Sequence, residues 1–228
     1  MNEITLSERV QAIKPSPTLA VTGRARELRA AGHDVIGLGA GEPDFDTPVH
    51  IKEAAIKAIE AGATKYTAVD GTPELKSAIV DKFKHENQLE YAPDQILVSS
   101  GAKHSLFNLF QALLNPGDEV VIPAPYWVSY PDLAIMAAAK PVIITTHFEQ
   151  NFKVTPDQLD QAITGRTRLL ILNSPSNPTG CHYTPAELEA LGAILGKHPD
   201  LVVATDDIYE HILWTDDPFR NIVNMCPD

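Results

Sequence analysis

Two short segments hold the residues best suited to chemistry: Asn173-Ser174-Pro175-Ser176-Asn177-Pro178-Thr179-Gly180 and Thr205-Asp206-Asp207-Ile208-Tyr209-Glu210-His211. Each directly follows an apolar, β-like run, and a helix-length stretch separates them. In the first, two prolines stiffen the loop, so Asn177 would be held in place with little entropy left to lose on binding. An ordinary Asn-Pro turn is the competing reading. In the second, a carboxylate at a buried strand end is expensive unless a cation or proton donor meets it. Asp207 suits the cap of a following helix, which leaves Asp206 free to point into a crevice. Tyr209, three residues on, would share its side if a helical turn begins there.

Two further clusters sit at the ends of other apolar runs. Ser99-Ser100-Gly101-Ala102-Lys103 opens a helix that runs to about Leu114. Small residues at a helix N-terminus expose backbone N–H groups to an anion such as phosphate, although a Ser-rich N-cap without ligand reads the same way. Pro125-Tyr126-Trp127 could stack on a flat ring or pack into the core.

The elements that must position these residues are legible from local patterns. Thr-Pro pairs at Thr47, Thr72, Thr155 and Thr184 mark helix starts, since Thr caps well and Pro is tolerated at the first helical position. Gln158 and Glu187 complete capping boxes with Thr155 and Thr184. Between the helices lie Gln95–Ser99, Glu119–Pro123, Pro141–Thr146, Arg168–Leu172 and Leu201–Thr205, which are β-branched and nearly continuous in their apolar character. Such runs suit strands of a sheet covered on both faces. The alternation points to an α/β fold with a mostly parallel sheet, whose ligands bind beyond the carboxyl ends of its strands. Residues 1–46 read differently, as an arm and part of a small domain with a helix over Leu19–Ala31 and a strand over Asp34–Leu38. The large domain is expected from 47 to 228.

Composition narrows the partners. The chain has 228 residues and a formal charge of -12, with no basic stripe, which argues against nucleic acid or an anionic membrane. No stretch approaches the roughly 20 apolar residues of a membrane span. Met1–Thr5 lacks the pattern of a signal peptide. With only two cysteines, a reducing cytoplasm is the expected setting. The histidines show no ligand spacing, so no metal is expected.

Taken together the loops offer a phosphate cradle, a stacking aromatic, a fixed Asn, a carboxylate and a phenol. Pyridoxal 5'-phosphate needs these parts, because a carboxylate beside its ring nitrogen keeps that nitrogen protonated. At this point the chain resembles the fold-type I pyridoxal-phosphate aminotransferases, within them the bacterial aspartate aminotransferase group. The resemblance is carried by Ala40–Pro48, Lys65-Tyr66, Ser100–Lys103, Pro125–Pro131, Asn173–Gly180 and Thr205–His211.

The resemblance implies a three-layer large domain and a role for each residue. Asp206 would pair with the pyridine nitrogen, Asn177 and Tyr209 would bond the ring oxygen, and Trp127 would stack on the ring. Gly101 and the backbone N–H groups of Ala102 and Lys103 would hold the phosphate. Tyr66 would reach the phosphate of a neighbouring subunit, which implies a homodimer with shared sites. Gly41, Trp127 and Asn177 would meet the substrate, and Lys103 with Ser16 would recognise a distal carboxylate. That implies an amino acid such as aspartate and a 2-oxo acid such as 2-oxoglutarate.

One departure stands out. The Schiff-base lysine of this family lies in a Ser-Lys-x-x-x-x-x-Gly-Trp-Arg-like segment, and no lysine here has that context. No catalytic residue is therefore assigned within the chain, which reads as the N-terminal part of a transaminase stopping at Met225-Cys226-Pro227-Asp228, in a loop. Two alternatives stand beside this: a non-catalytic cofactor-binding module, and a pyridoxal-phosphate lyase or synthase on the same scaffold.

Overall fold

The computed structural model describes residues 4–215 and 218–226. Met1–Glu3, Asp216-Asp217 and Pro227-Asp228 lie outside the described residues, and with them the start and end of the two domains expected from sequence. The chain divides into two compact units. The start of the chain up to Ile13 groups with Asp70 onward, and Lys14–Val69 forms the other unit. A one-turn helix, α1 (Glu8–Gln11), belongs to the first.

The Lys14–Val69 unit holds α2 (Pro17–Ala30) and α3 (Val49–Glu60). Ser16 caps α2, its Oγ accepting from Leu19 N at 3.4 Å. Thr47-Pro48 does open α3, but Pro48 is the cap and no side chain closes it. The strand expected over Asp34–Leu38 is absent, because no partner strand runs beside it among the described residues. None of the unit's side chains is buried.

The larger unit continues with α4 (Pro73–Lys82), capped by Thr72 and extended by a π-helical turn, Phe83–Asn87. Next comes α5 (Ala102–Leu113). The remainder alternates: β1 (Glu119–Ala124), α6 (Ser129–Met136), β2 (Lys140–Thr145), α7 (Pro156–Ala162), β3 (Thr167–Asn173), α8 (Pro185–Leu195), β4 (Val202–Asp206) and α9 (Ile222–Met225). Both expected capping boxes form, at Thr155 with Gln158 and at Thr184 with Glu187. The loop expected near the end of the chain is helical as far as Met225.

The four strands form one parallel sheet in the order β2-β1-β3-β4. Its continuous apolar runs are explained by two separate cores. Val120, Ile122, Leu169 and Ile171 point to one face, where Leu106 and Phe110 of α5 and Tyr130, Leu133 and Ala134 of α6 cover them. The intervening Val121, Leu170 and Leu172 point to the other face, against Leu159 of α7, Leu188 and Leu191 of α8 and Ile222 of α9. The result is a three-layer α/β unit with helices on both sides of the sheet.

Gln95–Ser99 does not form the expected strand. Its link to another extended segment is Val98 N to Asp70 O at 3.0 Å, and a cavity of about 570 Å³ lined by Ile96, Leu106, Thr205 and Asp207 borders it. A strand needs a neighbour in hydrogen-bonding distance, and none flanks this run among the described residues.

Candidate functional site

The carboxyl ends of β1, β3 and β4 and the N-terminus of α5 surround a cavity of about 340 Å³. That is within the range typical of small-molecule sites, about 300–1,000 Å³. Gly101, Ala102 and Lys103 line one end; Trp127, Asn177, Asp206 and Tyr209 line the rest, with Tyr130, Asn173 and Ile208. The cofactor residues expected from sequence in the larger unit therefore converge. Tyr66, Gly41 and Ser16 belong to the Lys14–Val69 unit, where Tyr66 is fully exposed.

The cradle follows from Gly101. It is the N-cap of α5 at φ +89°, and no side chain closes the helix end. A residue with a Cβ is strained at that φ, so glycine lets the chain turn into the helix with its first N–H groups facing outward. The Ser100 N–H is used locally, donating to His104 Nδ1 at 3.2 Å. Those of Ala102 and Lys103 are at positions without intrahelical partners, and the helix dipole adds a partial positive charge there.

The carboxylate follows from β4. Asp206 is its last residue and lies in register with Asn173 of β3. Oδ2 of Asp206 accepts a hydrogen bond from Tyr130 Oη at 2.7 Å, and Oδ1 accepts from Ile208 N at 3.4 Å. Tyr130 is almost wholly buried; burial, then the neighbouring Asp206 charge, push its phenol far above the ordinary range, so it stays a donor. Tyr130 also packs edge-on against Trp127, with ring centroids 5.4 Å apart.

Asn173 ties the two loops together. Its Nδ2 donates to the Asp206 carbonyl at 2.7 Å, and its Oδ1 accepts from Asn177 N at 2.8 Å. The Asn177 amide is thereby brought to 3.5 Å from the Tyr209 hydroxyl. Lys103 Nζ lies over the Trp127 ring, 4.9 Å from its centroid, in reach of a cation–π attraction.

Asp207 does not cap a helix. The residues after it form turns, and its Oδ2 accepts from Thr205 Oγ1 at 3.1 Å and Asn221 Nδ2 at 3.3 Å. Burial raises its pKa to about 6, against the opposing effect of those two hydrogen bonds. Tyr130 and Asn173 are the functional side chains that loop-by-loop reading passed over. Their signals were present: Tyr130 is one helical turn after Trp127, and Asn173 ends an apolar run as Asp206 does.

A negatively charged group at the α5 end, a flat ring beside Trp127 and a basic ring atom at Asp206 would each find a matching partner in this cavity. These features fit a phosphorylated pyridine. The family model for class I and II aminotransferases matches residues 33–227.

The chain belongs to this family of aminotransferases.

Relatives within it are close. The aspartate/prephenate aminotransferase of Nitrosomonas europaea is 65% identical over 223 residues, covering 98% of this chain and 56% of the relative. The aspartate aminotransferase of Bacillus subtilis is 53% identical, with 92% and 53% covered. Among solved structures, the aspartate aminotransferase of Rhizobium meliloti superposes with a TM-score of 0.95 at 47% identity, covering 99% of this chain and 56% of that one. The aminotransferase chain thus spans little more than half the length of the relatives it matches. The larger unit has the three-layer arrangement of their fold.

Proposed function

We propose that this aminotransferase chain forms the cofactor-binding part of an enzyme that moves an amino group between an amino acid, aspartate foremost, and a 2-oxo acid. The acceptors suggested by chemistry and by the relatives' names are 2-oxoglutarate and prephenate. The observation that carries the reading is the Asp206 carboxylate, oriented by Tyr130 in one cavity with the open N-terminus of α5.

When bound, pyridoxal 5'-phosphate supplies a ring that withdraws electrons from the α-carbon of an attached amino acid. The chain's residues prepare that ring. Asp206 holds a proton on its nitrogen, since a carboxylate favours the charged form of a basic neighbour. Asn177 and Tyr209 donate to its phenolic oxygen. Trp127 would cover one face, and the backbone N–H groups of Ala102 and Lys103, set free by the turn at Gly101, would anchor the phosphate. Lys103 Nζ, above Trp127, offers a cation to the distal carboxylate of aspartate, and Trp127 and Asn177 bind the rest of the substrate.

The lysine that bonds the cofactor covalently is assigned to the part of the relatives that this chain does not span. We further assign residues 1–46 to an arm and small-domain segment and 47–228 to the large domain of a cytoplasmic homodimer, whose partner receives Tyr66 at its phosphate. Product analysis of the whole protein tests the reaction. Aspartate plus 2-oxoglutarate should yield oxaloacetate and glutamate. Alanine and carbon dioxide formed from aspartate, without glutamate, would instead indicate a decarboxylating lyase.

A further inference from the structure

The turn after β4 carries Tyr209, yet apolar packing does not fix it. Its large apolar side chains, Ile208 and Ile212, are 63% and 53% exposed. Among the described residues, the Asp207 side chain accepts from Thr205 and Asn221. Glu210 reaches much farther. One carboxylate oxygen accepts from Lys82 Nζ, at the end of α4, and the other from Asn87 Nδ2 at 2.8 Å. Lys82 Nζ also donates to Asn87 Oδ1 at 2.7 Å, closing a three-residue ring. Asn87 is buried, and its carbonyl accepts from Asn224 Nδ2 of α9 at 2.8 Å.

β4 and the Gln95–Ser99 run border the same 570 Å³ cavity, which Lys82 and Glu210 also line. Hydrogen bonds to charged groups are the stronger kind, and a partly desolvated ring of them resists displacement. Burial alone would raise the Glu210 pKa, but the bonds from Lys82 and Asn87 outweigh it and hold the carboxyl below the ordinary range. Glu86 and His211 lie at the rim, with His211 Nε2 3.3 Å from Glu86 and 3.7 Å from Glu210. Glu86, Glu210 and His211 come close enough together to suggest a metal site; the cation already held there is the Lys82 ammonium.

We propose that Lys82, Asn87 and Glu210 form a positioning clasp. It sets where the Tyr209 phenol, next to Glu210 in the turn, stands relative to the phosphate cradle on α5, and so the span of cofactor that the site accepts. The proposal rests on the cofactor reading above. The cradle itself is placed by α5, whose Leu106 and Phe110 are packed in the core, so the clasp should affect the ring end and spare the phosphate end.

Affinities of the full protein for pyridoxal 5'-phosphate and for inorganic phosphate test this, with near-ultraviolet circular dichroism to confirm folding. Glu210→Ala should weaken pyridoxal phosphate binding roughly tenfold while phosphate binding stays within about twofold. Lys82→Met should act alike, and the double variant should lose little more than either alone, because both break one ring. If Glu210→Ala does not fold, Glu210→Gln decides on the same ratio with a smaller loss, about threefold. An unchanged ratio in a folded variant would overturn the clasp. A wild-type protein that binds pyridoxal phosphate no tighter than phosphate would overturn the cofactor reading, and the clasp with it.

Discussion

Tyr130 and Asp206, 76 residues apart in sequence, meet through a 2.7 Å hydrogen bond from a buried phenol to a carboxylate at the end of β4. The helix α6 brings the phenol there because Leu133 and Ala134, on the same helix, are locked into the core with it. The bond leaves the Asp206 carboxylate oriented before any ligand arrives, which is the preorganisation a charge-stabilising site needs.

Tyr130→Phe keeps the ring and its packing and removes only this donor. A hydrogen bond to a charged group contributes about 1.5–3 kcal/mol. Pyridoxal phosphate affinity should therefore fall roughly ten- to a hundredfold, with the protein still folded by near-ultraviolet circular dichroism. Equal affinity of variant and wild type would show that Asp206 is held by other groups.

Asp207 should make the folded state weaker as pH rises. Its pKa goes from an ordinary 3.8 to about 6 in the fold. The folded state then binds the proton more tightly than the unfolded one, so the contribution of Asp207 is fully present below about pH 4 and is lost as pH rises through about 6. Asp207→Asn retains an acceptor for Thr205 and Asn221 but has no charge to bury. It should flatten this part of the pH profile and stabilise the protein at pH 8, as read from urea midpoints. A variant with the same slope as wild type would remove Asp207 from the account.

Glu119 should act in the opposite direction. It is 2% exposed at the start of β1, and its oxygens accept from Thr164 Oγ1 at 2.6 Å, Arg166 Nη2 at 2.9 Å and Lys140 Nζ at 3.2 Å. The hydrogen bonds from Thr164 and Arg166 lead in bringing its pKa from 4.5 to about 2. Its contribution is present above about pH 4.5 and is lost as pH falls through about 2. Arg166 and Lys140 are two-thirds exposed, so solvent weakens the pairs. Glu119→Gln should cost about 1–3 kcal/mol at pH 7 and almost nothing near pH 2, measured by denaturant unfolding.

The parts of the fold legible in the sequence are those decided locally. Thr155 and Thr184 cap their helices through residues three positions away. The β1 and β3 runs read as doubly covered strands because alternate side chains enter two cores. Gln95–Ser99 has the same composition, yet whether it becomes a strand depends on a neighbour that no local pattern reveals. The site was legible where single residues close each loop: Gly101, Trp127, Asn177 and Asp206 all line the cavity. What was not legible joins distant segments. Tyr130, Asn173 and the Lys82–Glu210 pair act across 76, 33 and 128 residues, and Asp207 turned from its expected cap toward Asn221 for the same reason.

The central claim is that Asp206, and not its neighbour, faces the cofactor. Pyridoxal 5'-phosphate titration of the full protein, compared across wild type, Asp206→Ala and Asp207→Ala, tests it most directly. Asp206→Ala should lose at least about a hundredfold in affinity, as expected for a charged partner of a ring nitrogen, while Asp207→Ala should bind within a few-fold of wild type. Equal losses in the two variants, or none in Asp206→Ala, would contradict it.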